Sequence, residues 1–156
     1  MARIVSFNVN GLRSRLHQLQ ALVDQYSPDI IGLQETKVSD AEFPREAIEA
    51  MGYHVDFCGQ KGHYGVALLS KTRALTTSTG FSDDAEDAQP RLIHGQYKLN
   101  GTTLHVINGY FPQGESRQHP TKYPAKEQFY GDLLNYLNAQ FTADDHVIVM
   151  GDMNVA

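Results

Sequence analysis

The chain has 156 residues, 41% of them hydrophobic, so it is long enough to form one domain with a buried core. Its formal net charge of −5 argues against a partner held by overall basic charge alone. The single cysteine, Cys58, excludes a disulfide framework and favours a reducing, cytoplasmic setting. No apolar run has the length of a membrane span, and the first residues lack a signal-peptide core.

Apolar runs and helical spacing predict alternating strands and helices. Strands are expected at residues 4–7 and 30–34, with an amphipathic helix at 13–26 between them and a short helix from Pro44 to Gly52 after them. Period-two patterns then predict strands at 53–58, 65–70, 73–79, 91–98 and 103–109, followed by a helix at 124–141 and a strand at 146–151. This order predicts an α/β fold in which one mixed sheet carries helices on a face.

Three of the predicted buried strands end in polar side chains, namely Asn8, Glu35 and the pair Asp152 and Asn154. Carboxyl ends of strands in open α/β sheets carry the chemistry, so these residues predict an acidic pocket for a hard cation such as Mg²⁺. Asp152 could orient or deprotonate a water, and the Asn154 amide, on the same side of an extended backbone, could donate to a phosphate oxygen. The alternatives are a surface acid at Glu35 and a simple Asx-turn at Asp152.

Two further segments are rich in groups that could contact phosphate. Residues 108–114 place Tyr110 between glycines, and residues 60–65 form a glycine-rich basic loop. A tyrosine packed over a Pro-Gly loop and an exposed hairpin connection are the structural alternatives. Arg91 either reaches the pocket or is solvated. The seven histidines show no zinc-site spacing, and no G-x-S-x-G motif indicates a serine hydrolase.

Five segments in this order resemble the exonuclease III/AP endonuclease family, within the endonuclease/exonuclease/phosphatase superfamily. They are SFNVNGLR (6–13), DIIGLQETK (29–37), GQKGHYGVALLSK (59–71), INGYFPQGESR (107–117) and VMGDMN (149–154). The resemblance implies a four-layered, DNase I-like α/β sandwich, with two sheets packed face to face and helices outside. It also implies hydrolysis of DNA phosphodiesters with Mg²⁺, or Mn²⁺ as a substitute: incision 5′ of abasic sites, 3′→5′ exonuclease action on duplex DNA and cleaning of blocked 3′ ends.

Residue roles follow from the resemblance. Glu35 is similar to a metal ligand of the family, with Asn8, Asp152 and Asn154 in or beside the metal centre. Asp152 resembles the residue that activates water, and Asn154 and Tyr110 resemble contacts to the scissile phosphate. Contacts to the backbone of duplex DNA are expected from five residues: Lys61, His63, Arg91, Gln113 and Lys122.

The resemblance also implies that part of the family domain is absent. Family members continue after GDMN with a second half that carries a further catalytic Asp and a Ser-Asp-His segment. Residues 1–156 are therefore expected to be the N-terminal part of one domain, inactive or nearly so alone. A sheet face left for the missing half would be apolar and could mediate self-association, whereas the whole enzyme is expected to be a monomer.

Three other interpretations stay open at the level of sequence. Another phosphoesterase of the superfamily, such as an inositol-polyphosphate phosphatase or a sphingomyelinase, shares the Glu-after-strand and GD-x-N pattern. A non-catalytic DNA-binding fragment is a second alternative. A separate chain that supplies the second half is the third.

Overall fold

The computed structural model describes residues 1–155, which form eight strands and three α-helices. The strands are β1 Ile4–Asn8, β2 Ile30–Gln34, β3 His54–Cys58, β4 Val66–Ser70, β5 Thr76–Thr79, β6 Leu92–Leu99, β7 Thr102–Tyr110 and β8 Val147–Asp152. The helices are α1 Leu16–Tyr26, α2 Arg45–Ala50 and α3 Lys122–Gln140. A 3₁₀ turn, Arg13–Arg15, forms the start of the first predicted helix, and β5 begins three residues later than predicted.

The strands form two mixed sheets of four, not one. The first sheet has the order β1-β2-β4-β3 and the second the order β5-β6-β7-β8. One pair in each sheet is parallel, β1 with β2 and β7 with β8, and the other pairs are antiparallel. The prediction of a single sheet was wrong because the five strands between α2 and α3 are divided between two sheets. Strands β3 and β4 belong to the first sheet, whereas β5, β6 and β7 belong to the second.

The two sheets pack face to face around a shared apolar core. It contains Ile30, Val66 and Leu68 from the first sheet and Ile93, Tyr97, Val106 and Met150 from the second. All of these side chains are at most 9% exposed. The expectation of an uncovered apolar sheet face was therefore wrong, whereas self-association of the chain stays a prediction. Each sheet already covers the other within the chain.

Helices cover the outer faces and complete four layers. Leu19 of α1 and Ile48 of α2 pack in a core with the outer face of the first sheet. Phe129 and Leu133 of α3 pack with Leu92, Ile107 and Phe111 against the second. Leu134, the residue next to Leu133, is 59% exposed and lies on the solvent-facing side of α3, away from this core. The four-layered sandwich implied by the resemblance is thus the architecture of the described residues, and none of their helices is long and apolar enough to cross a membrane.

Candidate metal and phosphate site

The strand ends that the sequence singled out meet at one end of the sandwich. Asn8 is the last residue of β1 and pairs in register with Gln34, which directly precedes Glu35. Asp152 is the last residue of β8 and pairs in register with Tyr110, the last residue of β7. Strands β1 and β8 lie against each other across the two sheets. Glu35 therefore comes from one sheet, Asp152 from the other, and Asn8 lies between them.

The side-chain amide of Asn8 joins the two carboxylates. Its Nδ2 donates to Glu35 Oε1 at 2.9 Å and to Asp152 Oδ2 at 2.9 Å. Its Oδ1 accepts the backbone N–H of Asn10 at 3.0 Å, which fixes the orientation of the amide. One amide NH₂ group donates one N–H to each carboxylate and so holds the two acids together despite their like charge.

Glu35 is held in a strained backbone conformation and kept ionised. Its φ of +52° lies in the left-handed region, a conformation that non-glycine residues adopt mainly where the surrounding structure imposes it. Lys37 Nζ lies 3.1 Å from Oε2. Partial burial acts to raise the pKa of the carboxyl, but hydrogen bonds from Asn8 and Lys37 and the charge of Lys37 outweigh it, so the net pKa is lowered.

Tyr110 contacts the same carboxylate with a protonated phenol. Burial, followed by the charge of Glu35 and a hydrogen bond to it, raises the pKa of Tyr110 to about 12. The phenol is therefore a hydrogen-bond donor at neutral pH. The Arg91 guanidinium lies over two rings, 5.0 Å from the Tyr110 centroid and 4.7 Å from that of Tyr64. Arg91 also donates from Nη1 to the Tyr110 carbonyl at 3.0 Å.

Asp152 and Asn154 form a turn instead of presenting two side chains to one side. The φ of Asn154 is +48°, and its backbone N–H donates to Asp152 Oδ1 at 3.1 Å. Its Nδ2 donates to the Phe111 carbonyl at 2.7 Å. The extended-backbone argument was therefore wrong, and the Asx-turn interpretation describes the local structure. In this structure the Asn154 amide donor is engaged within the chain.

Helix α3 anchors the segment that follows β8. Lys126 Nζ donates to the Asn154 carbonyl at 2.6 Å, and the Tyr130 hydroxyl donates to the Met153 carbonyl at 2.7 Å. Lys126 also lines a groove of about 500 Å³ together with Asp152, Asn154 and Gln113. A positive charge therefore stands beside Asp152 on a helix that packs against the second sheet.

The donor set fits a hard divalent cation. Glu35 and Asp152 provide two carboxylates; among the described residues, no group of three or more His, Cys, Asp or Glu side chains is placed to hold a metal ion by itself. Mg²⁺ typically takes one or two protein carboxylates and completes its shell with water and substrate phosphate. The oxygens of Glu35 and Asp152 are the groups that would hold the ion, and Asn8 would orient both.

The five predicted DNA contacts do not lie in one place. Arg91, Gln113 and Lys122 line a cleft of about 390 Å³ beside Tyr110 and Tyr64. Lys61 and His63 lie on the exposed loop that precedes β4, next to Tyr64 in sequence and outside the residues that line this cleft. Lys122 is paired with Glu115, and the Arg91 Nε donates to Gln89 at 2.7 Å.

Lys37 and Lys126 were not among the predicted site residues. Lys37 follows Glu35 by two residues, so a basic residue beside a predicted metal ligand was a usable signal. Lys126 reaches the site only through the packing of α3 onto the second sheet. Tyr64 lies in the loop 60–65 that the sequence predicted as a phosphate contact, and only the tertiary structure places its ring against Arg91.

The endonuclease/exonuclease/phosphatase family model matches residues 5–156. The chain belongs to this family of enzymes. It is 54% identical over 154 residues to exodeoxyribonuclease III of Haemophilus influenzae, covering 99% of this chain and 58% of that protein. An AP endonuclease structure from Archaeoglobus fulgidus is 39% identical with a TM-score of 0.87, covering 100% of this chain and 58% of that one. A structure of the Neisseria 3′ phosphatase NExo bound to a product DNA hairpin is 33% identical with a TM-score of 0.89. The match covers 100% of this chain and 59% of that one.

The chain therefore spans a little under three fifths of the length of each of these three relatives. This coverage is consistent with the N-terminal half expected from the sequence. The family assignment and the fold implied by the resemblance are confirmed.

Proposed function

We propose that this chain is the N-terminal part of a Mg²⁺-dependent DNA phosphodiester hydrolase of base-excision repair. The proposed reactions are incision 5′ of abasic sites, 3′→5′ degradation of duplex DNA and removal of blocked 3′ ends. The observation that carries the proposal is the Asn8 amide that joins Glu35 and Asp152, since two ionised oxygen ligands held from two sheets suit a phosphate-bound Mg²⁺.

Each site residue has a proposed role. Bound Mg²⁺, or Mn²⁺ in its place, would polarise the phosphate and offset the charge that develops on it. Asp152 orients a water and accepts its proton, and Asn8 holds Asp152 in place through Oδ2. Tyr110, a phenol whose pKa is raised to about 12, donates a hydrogen bond to a phosphate oxygen. Asn154 contacts the same phosphate once its amide is released from the Phe111 carbonyl.

Duplex DNA is the proposed substrate and partner. The cleft lined by Arg91, Gln113 and Lys122 lies beside Tyr110 and would bind the DNA backbone next to the cleaved phosphate. Two donors of Arg91 are engaged by Gln89 and Tyr110, which leaves its other N–H groups for a phosphate. Lys61 and His63 would contact the backbone further from the cleaved bond. The proposed location is the cytoplasm, and the proposed whole enzyme is a monomer.

The chain by itself is proposed to be catalytically incomplete, because it spans only 58% of its Haemophilus relative. The test uses a labelled duplex with one abasic site, in Mg²⁺ and in EDTA. The chain alone is expected to leave the duplex intact. A chimera that continues this chain with the remaining residues of the Haemophilus protein is expected to incise 5′ of the abasic site only in Mg²⁺.

The outcomes separate the two parts of the proposal. Mg²⁺-dependent incision by the chain alone would overturn the claim of incompleteness and support the nuclease. A folded chimera that binds the duplex without cutting it would overturn the nuclease and favour a DNA-binding fragment. Competition by inositol phosphates instead of duplex DNA would favour another phosphoesterase of the superfamily.

A further inference from the structure

A polar side chain crosses the apolar core between the sheets just behind the site. Asn108 of β7 is fully buried, and its Nδ2 donates to two carbonyls of the opposite sheet. The acceptors are the Leu33 carbonyl on β2 and the Ala67 carbonyl on β4, each at 2.9 Å. The side chain of one sheet is thus hydrogen-bonded to the backbone of the other.

Gln34 completes this connection from the first sheet. Its side chain is 1% exposed, and its Nε2 donates to Asn108 Oδ1 at 2.6 Å and to Ser6 Oγ at 3.1 Å. The network therefore joins β1, β2 and β4 to β7. Unlike apolar contacts, these hydrogen bonds are directional, so they fix one relative position of the sheets.

The first sheet has a space for the inserted side chain. A Cβ on Gly32 of β2 would lie 2.8 Å from Asn108 Cγ and 2.4 Å from Met150 Cε. A larger residue at 32 would therefore displace the Met150 methyl group and the hydrogen-bonded side chain of Asn108. Both sides of the contact are built to bring the sheets close at this point.

The network lies next to the proposed metal ligands along the strands. Glu35 directly follows Gln34, and Tyr110 lies two residues beyond Asn108, in register with Asp152. We propose that Asn108 and Gln34 are positioning residues that fix the position of one sheet relative to the other. They thereby hold Glu35 and Asp152 at the separation at which one divalent cation binds both. This inference rests on the proposed metal site.

The test measures Mn²⁺ affinity of the purified chain by the electron paramagnetic resonance signal of free Mn²⁺. Two variants remove the connection: Asn108→Ala, which deletes its hydrogen bonds, and Gln34→Met, which keeps the side-chain length without the donor. Leu19→Ala is the matched control, because it opens a core between α1 and the first sheet and leaves the connection between sheets intact. Urea unfolding ranks the stability of all four proteins.

The Mn²⁺ dissociation constant is expected to rise at least about tenfold in both connection variants, as when outer-shell partners of metal ligands are lost. It is expected to stay unchanged in Leu19→Ala despite a comparable loss of stability. If Asn108→Ala does not fold, Gln34→Met decides. Wild-type affinity in the folded variants, or weakening that follows stability in all three, would overturn the inference. A wild-type chain that binds no Mn²⁺ would overturn the proposed metal site itself, and the inference with it.

Discussion

At the scale of single residues, the site depends on how Asn8 distributes its two donors and one acceptor. Its amide holds two carboxylates that would otherwise repel, and it does so with no positive charge of its own. Lys37 neutralises only Glu35, at 3.1 Å. Asp152 accepts hydrogen bonds from two neutral donors, Asn8 and the backbone N–H of Asn154, and Lys126 lines the same groove.

Glu35→Gln should weaken Mn²⁺ binding by the chain at least about tenfold, because the amide removes one of two charged oxygen ligands. The measurement is a Mn²⁺ titration monitored by electron paramagnetic resonance. Glu42→Gln is the control, since Glu42 lies on the surface in an exposed pair with Arg13 at 3.4 Å. Equal affinity of Glu35→Gln and wild type would remove Glu35 from the metal site.

Asp152→Asn in the Haemophilus chimera should keep the fold and the affinity for abasic duplex but lower the incision rate by a factor on the order of 10²–10⁴, the contribution of a general base. Single-turnover incision and gel-shift titrations give the two quantities separately. Asp132→Asn changes a partly exposed acid on α3 that is bonded only to Gln128 among the described contacts, and this variant should cut at the wild-type rate. Near-normal turnover of the Asp152 variant would exclude Asp152 as the base.

At the scale of elements, α3 is attached to the second sheet by a polar cluster as well as by its apolar stripe. His94 of β6 and His105 of β7 share one face of the sheet, and His94 Nε2 lies 3.0 Å from His105 Nδ1. The Tyr136 hydroxyl of α3 lies 2.6 Å from His94 Nδ1, and Phe141 packs against both imidazoles. One chain of hydrogen bonds therefore connects helix and sheet.

This cluster predicts a loss of stability on acidification. Burial, and then the charge of His105, lowers the pKa of His94 from 6.5 to about 4 in the folded chain. The folded state therefore binds fewer protons than the unfolded state between these values, and stability falls as the pH drops from about 6.5 to about 4. Above pH 6.5 the group has no effect, because it is neutral in both states.

Urea unfolding across pH 4–8 checks this prediction with His94→Phe. The variant should lose less stability than wild type between pH 6.5 and 4, because the pKa of His94 falls from 6.5 to about 4 on folding. Above pH 6.5 the free energy of unfolding should depend on pH in the same way for both proteins. His17→Phe, a position on α1 outside the cluster, should follow wild type. If wild type and His94→Phe lost stability equally on acidification, folding would not lower the pKa of His94.

At the scale of the whole molecule, the sandwich is closed along its inner faces, and two of its four edge strands meet at one side. Strand β1 ends one sheet and β8 ends the other, and the two lie together. Both are only partly buried, in contrast to β2 and β4, which are buried throughout. The proposed site lies where these two edge strands meet.

Because the two sheets approach closely at Gly32, we expect a larger residue at this position to lower the stability of the chain. Gly32→Ala should destabilise the chain by about 1–3 kcal/mol, as expected when a methyl group is forced into a packed core. Gly131→Ala is the matched control: the position lies within α3 with open space around it, so the same change should stabilise by about 1 kcal/mol. Urea unfolding measures both, and a neutral Gly32→Ala would show that the sheets separate freely.

The sequence by itself determined the elements and the candidate site. Apolar runs that end in Asn8, Glu35 and Asp152 identified the strand ends, because buried strands must be apolar and their polar ends must lie outside the core. Hydrophobic periodicity located the helices within a few residues. The five motifs in order identified the family before any contact was known.

Only the tertiary structure decided how these pieces combine. The division of the strands between two sheets depends on long-range pairing, which local periodicity does not encode, and so the single-sheet prediction failed. The left-handed turn at Asn154, the engagement of its amide by Phe111 and the approach of Lys126 from α3 arise from packing between segments distant in sequence. For the same reason, Asn108 is an ordinary polar residue in the sequence, and only the opposite sheet makes it a bridge.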